Sequence, residues 1–296
     1  MSSLGLSGNS GSSAGTSNSF SLQGTKDFLQ SNSAVAKFAF LLLVIIIFVM
    51  VLRYSVALLN WIFSPSGNPH MIDGMIDARH MLVIQQDPSK DGAKPILRSN
   101  NQRDGIEFTW SVWIYIDDLD YGAGTFKHIF HKGNDDINYT QAPTGLNEPN
   151  NGPGLYITPN KNNLLVIMNT FDKIKEKIII EDVPLNKWIN VMIRVENTTV
   201  DCYINGTITK RHELSGVPFQ NYGNVYMSMN GGFSGYTSNL WYWNYALGTS
   251  HIQSIIDQGP NMTMVGSNMT ESKPRYFSLR WFFANTGSQE DGYGGI

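Results

Sequence analysis

Residues 188–211, WINVMIRVENTTVDCYINGTITKR, leave little freedom in what this chain can build. Ile189, Val191, Ile193 and Val195 share one parity and all are β-branched, while Asn190, Arg194 and Glu196 share the other. A strand sends alternate side chains to opposite faces, so this is a strand with one buried face. Glu196, Asn197, Thr198 and Thr199 read as a turn. Val200, Cys202 and Ile204 then point inward, and Asp201, Tyr203 and Asn205 outward. Asn205-Gly206 is a strong hairpin signal, because both residues tolerate the positive φ of a type I′ turn. Three antiparallel strands in immediate succession are the expectation.

Similar patterns recur from residue 108 onward. Phe108, Trp110, Val112, Ile114 and Ile116 make one apolar face. Thr109, Ser111, Trp113 and Tyr115 make a mixed face with two aromatics. Short strands are expected at 128–132, 155–158, 164–170, 177–183, 225–229 and 238–245, with a long polar surface loop over 134–153. Residues 71–83 alternate less clearly and suit a connector or a first edge strand. Ile252, Ile255 and Ile256 have helical spacing and stop at Gly259-Pro260, a helix end. Regular short strands with turn signals point to a sandwich rather than an α/β fold.

Three of these stretches, in order, resemble the laminin-G-like or concanavalin A-like jelly rolls. One is the Trp188 hairpin closing on Cys202-Tyr203-Ile204-Asn205-Gly206. Another is 108–114 as an early core strand, and the last is 235–247 (GYTSNLWYWNYAL) as the closing strand before a short helix. The resemblance covers roughly residues 78–260. It implies a mostly β fold, a two-sheet antiparallel jelly-roll sandwich. It leaves function open, since this superfold hosts lectins, adhesion modules, glycosidases and structural proteins.

Ahead of this domain, an apolar run starts at Phe38 and reaches Phe63, bracketed by Lys37 and interrupted by Arg53. The uninterrupted part, 38–52, would span only ~22 Å as a helix, but continuation to Phe63 gives roughly 39 Å, enough for a tilted crossing of a ~30 Å hydrocarbon core. Tyr54 and Trp61 suit an interfacial position. The run starts late and lacks a clean small-residue cleavage site, which disfavours a signal peptide. One transmembrane α-helix, holding the protein in a lipid bilayer, is therefore expected ahead of the sandwich. The layout reads as a Ser/Gly-rich, disordered start at 1–33, a membrane helix at 34–63, a linker at 64–77, the sandwich at 78–260, and a tail at 261–296. The tail has one strand-like run, 276–283.

The formal net charge of −3 gives no reason to expect nucleic-acid binding. A single cysteine, Cys202, excludes an intrachain disulfide and, on parity, belongs to the core. With no disulfide to protect, the β domain suits the cytosolic side of a membrane. Sequons at Asn138, Asn197, Asn205, Asn261 and Asn268 would matter only in a secretory lumen.

Glycoside hydrolysis needs two carboxyl groups flanking the scissile bond. The Glu-x-Asp-x-Glu spacing of the jelly-roll glucanases does not occur, and no enzyme activity is expected. Asp117, Asp118 and Asp120 form an acidic turn that is either simply solvated or a calcium site. His128 and His131, three apart on a strand, should lie on opposite faces and share no metal. Trp241, Trp243 and Tyr245 share one parity. They are candidates for stacking on a ligand, most simply a sugar ring, against the alternative that they pack under neighbouring elements.

The expected function is a membrane-anchored interaction or structural protein whose jelly roll docks on a protein or glycan. A cell-surface lectin is the alternative, and a hydrolase the remotest reading. The combination of anchor and jelly roll also resembles membrane-anchored proteins of large DNA viruses. That resemblance implies a virion or host internal membrane and a capsid shell as partner.

Overall fold

The computed structural model describes residues 34–90, 92–99, 101–102 and 105–265. The Ser/Gly-rich start, the sequon at Asn268 and the run at 276–283 lie outside them. The chain divides into two compact units at residues 64 and 65.

The first unit is a helix, α1 (Ala34–Phe63), of 30 residues. At ~1.5 Å per residue it is about 45 Å long. It is long and apolar enough to cross a membrane. Leu42, Val44, Ile46 and Phe48 are exposed on all sides of it, an apolar surface all round rather than a single stripe.

The second unit is an antiparallel β-sandwich. Its first sheet runs in the order β1 (His70–Asp77), β13 (Gly235–Trp243), β4 (Gly105–Ile116), β9 (Trp188–Glu196), β10 (Thr199–Ile204) and β11 (Thr207–Glu213), with β3 (Asn101–Gln102) paired to β4. The second sheet runs β2 (Leu82–Ile84), β12 (Asn224–Met227), β5 (Lys127–Gly133), β6 (Asn151–Ile157), β7 (Leu164–Met168) and β8 (Glu176–Ile180). A helix, α2 (Thr249–Gln258), follows β13.

Period-two alternation builds the core between the sheets. Phe108, Trp110, Val112, Ile114 and Ile116 of β4 meet Ile189, Val191, Ile193 and Val195 of β9, and Val166, Ile178 and Leu155 from the second sheet. Cys202 is fully buried there, and burial pushes its thiol up to about 12. At the β10–β11 turn, Asn205 (φ 48°) and Gly206 (φ 79°) both have positive φ, as a type I′ hairpin requires.

The sandwich begins earlier than the sequence alone indicates. Residues 70–77, assigned to a linker, form β1 and bury Met71, Ile72 and Ile76. Their alternation was blurred because the pairing with β13 slips twice. Gly74, at φ 113°, also lets the chain pass against residues 263 and 265, where a Cβ would meet the Thr263 carbonyl oxygen at 2.7 Å. Residues 261–265 are likewise part of the sandwich. Met264 bridges Met75 in parallel, with Met75 N–H to Thr263 O at 2.8 Å and Val265 N–H to Met75 O at 2.8 Å.

Residues 134–150 are not simply a surface loop. They fold across the outer face of the second sheet and bury Leu146 and Asn147.

Candidate binding site on the outer face of the first sheet

The outer face of the first sheet is covered as well. Three strands present Trp113 (β4), Met192 (β9), and Trp241 and Trp243 (β13) on this side. Across them lies α2, whose Ile252, Ile255 and Ile256 complete a second apolar cluster with Tyr203, Tyr245 and Leu247. The helix starts after Gly248 and stops at Gly259, which has φ 71°. It sits so close to the hairpin turn that a Cβ on Gly206 would lie 3.1 Å from Ile256.

A β-bulge shapes the site. Ser238 of β13 faces Trp113 of β4, but the next facing pair is Trp241 with Ser111, so β13 holds one extra residue. Asn239, at φ 48°, sits in that bulge. The extra residue turns Trp241 and Trp243 outward while Leu240 and Tyr242 enter the main core.

Between bulge, sheet and helix lies a cavity of about 190 Å³ lined by Trp113, Asn239, Trp241, Trp243, His251, Ile255, Gln258 and Gly259. The rings of Trp241 and Trp243 stack at 5.6 Å and 15°. His70 stacks on Trp241 at 3.8 Å, and His251 meets Trp243 edge-on at 5.9 Å. Burial holds the His70 imidazole below its ordinary pKa, against the opposing pull of Asp73. Asn239 Oδ1 is buried, and the Asn239 amide faces the His70 imidazole, whose protonated form it favours. An aromatic-walled space with a buried amide in its wall is suited to holding a ring that carries a hydroxyl or N–H. It is smaller than the usual drug-sized pocket of ~300–1,000 Å³, so it admits a single ring.

Of the sequence candidates, Trp241 and Trp243 line this cavity. Tyr245 is half-buried beside it, its carbonyl accepting from Thr109 Oγ1 at 3.0 Å. Trp113, Asn239, His251 and Gln258 were missed. For Trp113 there was a signal, an aromatic on the polar parity of β4. The bulge at Asn239 had none.

The acidic turn behaves differently. Asp118 Oδ1 accepts from Tyr121 N–H at 3.0 Å, and that bond holds its carboxyl below the usual range. Asp117 lies 3.5 Å from Ser234 Oγ. Among the described residues no three His, Cys, Asp or Glu side chains gather as a group that could hold a metal ion.

His128 and His131 are not on opposite faces. His128 faces Tyr156 and Phe130 faces Leu155, so Ile129 is a bulged extra residue that brings both imidazoles to the same side. The pair is a directed chain. Met229 N–H donates to His128 Nδ1 (3.0 Å), His128 Nε2–H to His131 Nδ1 (2.7 Å), and His131 Nε2–H to the Asn134 carbonyl (2.7 Å). Both rings are therefore neutral. Burial drives both pKa values down, that of His131 to about 4. Nearby, the Tyr156 hydroxyl donates to Asn151 Oδ1 at 2.5 Å, and Asn151 Nδ2 donates to the Asn147 carbonyl at 2.7 Å.

Residues 91–253 match the family described as the concanavalin A-like lectin/glucanases superfamily, which is more than half of the chain. No curated protein matches it. Among solved structures, the botulinum neurotoxin serotype G binding domain is 11% identical with a TM-score of 0.43. That alignment covers 62% of this chain and 46% of that one. The receptor-binding domain of botulinum neurotoxin D is 14% identical with a TM-score of 0.42, covering 61% and 48%. The binding domain of botulinum neurotoxin DC, solved in complex with rat synaptotagmin II, is 14% identical with a TM-score of 0.38, covering 52% and 36%. The chain thus spans less than half the length of each.

Proposed function

Because this chain belongs to the concanavalin A-like lectin/glucanases superfamily, whose members share a sandwich rather than a chemistry, we propose its function from the site: a membrane-tethered binding protein that does not catalyse. The carrying observation is the tryptophan-walled cavity under α2, with the Asn239 amide in its wall. Its lining offers stacking faces, two amides and an imidazole. A ring on a protein or glycan partner enters between Trp113, Trp241 and Trp243 and donates a hydrogen bond to Asn239. The helix α1 holds the module in a bilayer, with the sandwich on the cytosolic side. The resemblance to membrane-anchored proteins of large DNA viruses favours a capsid shell facing that membrane as the partner.

The test uses the full chain in detergent micelles, on a glycan array and in crosslinking from its native membrane. Saturable binding that weakens several-fold in Trp241→Ala supports the reading, since a stacked aromatic pair contributes about 0.5–1.5 kcal/mol. Hydrolysis of a polysaccharide that disappears in Asp118→Ala or Asp120→Ala would overturn it.

A lectin at the cell surface is the second reading, favoured by the single-ring size of the cavity. N-glycan found on Asn138 or Asn197 would place the sandwich in a secretory lumen and select it.

A further inference from the structure

One end of the sandwich carries apolar side chains that its fold does not use. The segment after β7 and the segment between β11 and β12 are zipped together there. Phe171 N–H donates to the Val217 carbonyl (3.1 Å), Phe219 N–H to the Asn169 carbonyl (2.8 Å), and Thr170 bridges Pro218. The Phe171 and Phe219 rings meet edge to face at 5.2 Å. From this braced tip Phe171 is 70% exposed, Ile174 60%, Val217 46%, Phe219 43% and Tyr222 77%. Clustered exposure of this kind marks an interaction surface.

The same end receives the chain from α1. Pro69, the last residue before β1, accepts a hydrogen bond from Tyr242 N–H at 3.3 Å. Tyr242 and Phe219 in turn line one small cavity of about 20 Å³. The opposite end is the β6–β7 connection at residues 158–163, beyond the Ile157–Leu164 pair. Only six residues, 64–69, separate α1 from β1. Even fully extended they reach about 20 Å.

We propose that the paired segments are a second membrane contact, with Phe171, Ile174, Val217 and Phe219 entering the interfacial layer of the bilayer that α1 crosses. The occupant is a lipid surface because the tether leaves this end of the sandwich no distant alternative and the tip is apolar. Its lysines are matched. Lys173 pairs with Glu176 at 3.7 Å, and Lys175 pairs with Glu148, while Asp172 is an exposed carboxylate between Phe171 and Lys173. Recognition is therefore apolar, and a zwitterionic bilayer suffices. Tyr222 takes the interfacial position that amphipathic rings favour.

The contact rests on reading α1 as a membrane span, and one experiment separates the two. The full chain is reconstituted into phosphatidylcholine vesicles, with and without phosphatidylserine, carrying a nitrobenzoxadiazole label at Ile174→Cys or, as control at the far end, Lys161→Cys. The native Cys202 is core-buried and does not compete for label. Acyl-chain spin-labelled lipid should quench the label at 174 several-fold more than at 161, equally in both lipid mixtures. Introducing Phe171→Ser with Phe219→Ser should abolish the difference. Equal quenching at 174 and 161 in protein that withstands a carbonate wash overturns the contact alone. So does quenching that persists in the double variant, or that requires phosphatidylserine. Release by carbonate overturns the span and the contact with it.

Discussion

His128 and His131 are fully buried, neutral, and committed to one direction of hydrogen bonding. Their folded pKa values lie below the unfolded value of 6.5, that of His131 at about 4. The unfolded chain therefore binds more protons than the native one between those limits. Stability is full above about pH 6.5 and falls as pH drops toward 4, on the order of 3 kcal/mol for His131 alone. Urea midpoints measured across that range should fall with acid, and a His128→Gln, His131→Gln double variant should lose most of the slope. Asp201 is a second buried polar anchor. It accepts from Arg211 Nε at 2.6 Å and lies 3.3 Å from Arg194 Nη1. Asp201→Asn should cost about 2 kcal/mol in urea unfolding, typical of lost hydrogen bonds to a charged group. It should not reach the 3–5 kcal/mol of a fully buried pair, because Arg211 is itself exposed. Ile193→Ala, in the central strand, should cost about 2–5 kcal/mol.

Among the elements, α2 is the one that closes the candidate cavity. Its seat depends on Gly206, which needs both a positive φ and the room to lie under Ile256. Gly206→Ala should cost at least about 1–2 kcal/mol from backbone strain alone, and tryptophan emission should shift red as Trp243 loses its cover. An unchanged spectrum would mean the helix tolerates displacement. What the sequence reveals divides along the same line. Strands β4, β9 and β10 were legible because their alternation is unbroken and one face meets a continuous core. The type I′ turn was legible from Asn205-Gly206. The cavity was half legible: parity placed Trp241 and Trp243 together, but period two has no term for an inserted residue. Each failure lies at a bulge or slip, namely Ile129 for the histidines, Asn239 for the cavity, and the pairing of 70–77 for the start of the sandwich. The cover of the outer faces was hidden for another reason. Residues 134–150 look like solvent-facing loop, yet Asn147 and Asn151 satisfy buried polar groups from within.

At the scale of the whole molecule, α1 decides where everything else acts. Deleting residues 38–63 should move the protein from the carbonate-washed pellet to the supernatant. Ile46→Arg should impair insertion by ~2.5–3.5 kcal/mol at the helix centre, read as the fraction inserted in a microsome assay. As a membrane span, a helix of 30 residues would exceed a ~30 Å hydrocarbon core and would tilt or extend into the headgroups.

As a membrane anchor, α1 would put the sandwich under tension. A pull along α1 would enter the sandwich through Pro69 and arrive at β1. That strand is hooked at its start, where Lys94 Nζ donates to the carbonyls of His70 (3.0 Å) and Met71 (2.9 Å) and Trp241 grips the His70 ring. Halfway along, residues 263–265 clasp its outer edge at Met75. The clasp comes from residues 263–265 and the load from residues 64–69, so the fold is buckled shut where it is pulled. In an optical trap, a chain truncated after residue 260 should rupture at lower force than the full chain, with β1 peeling first.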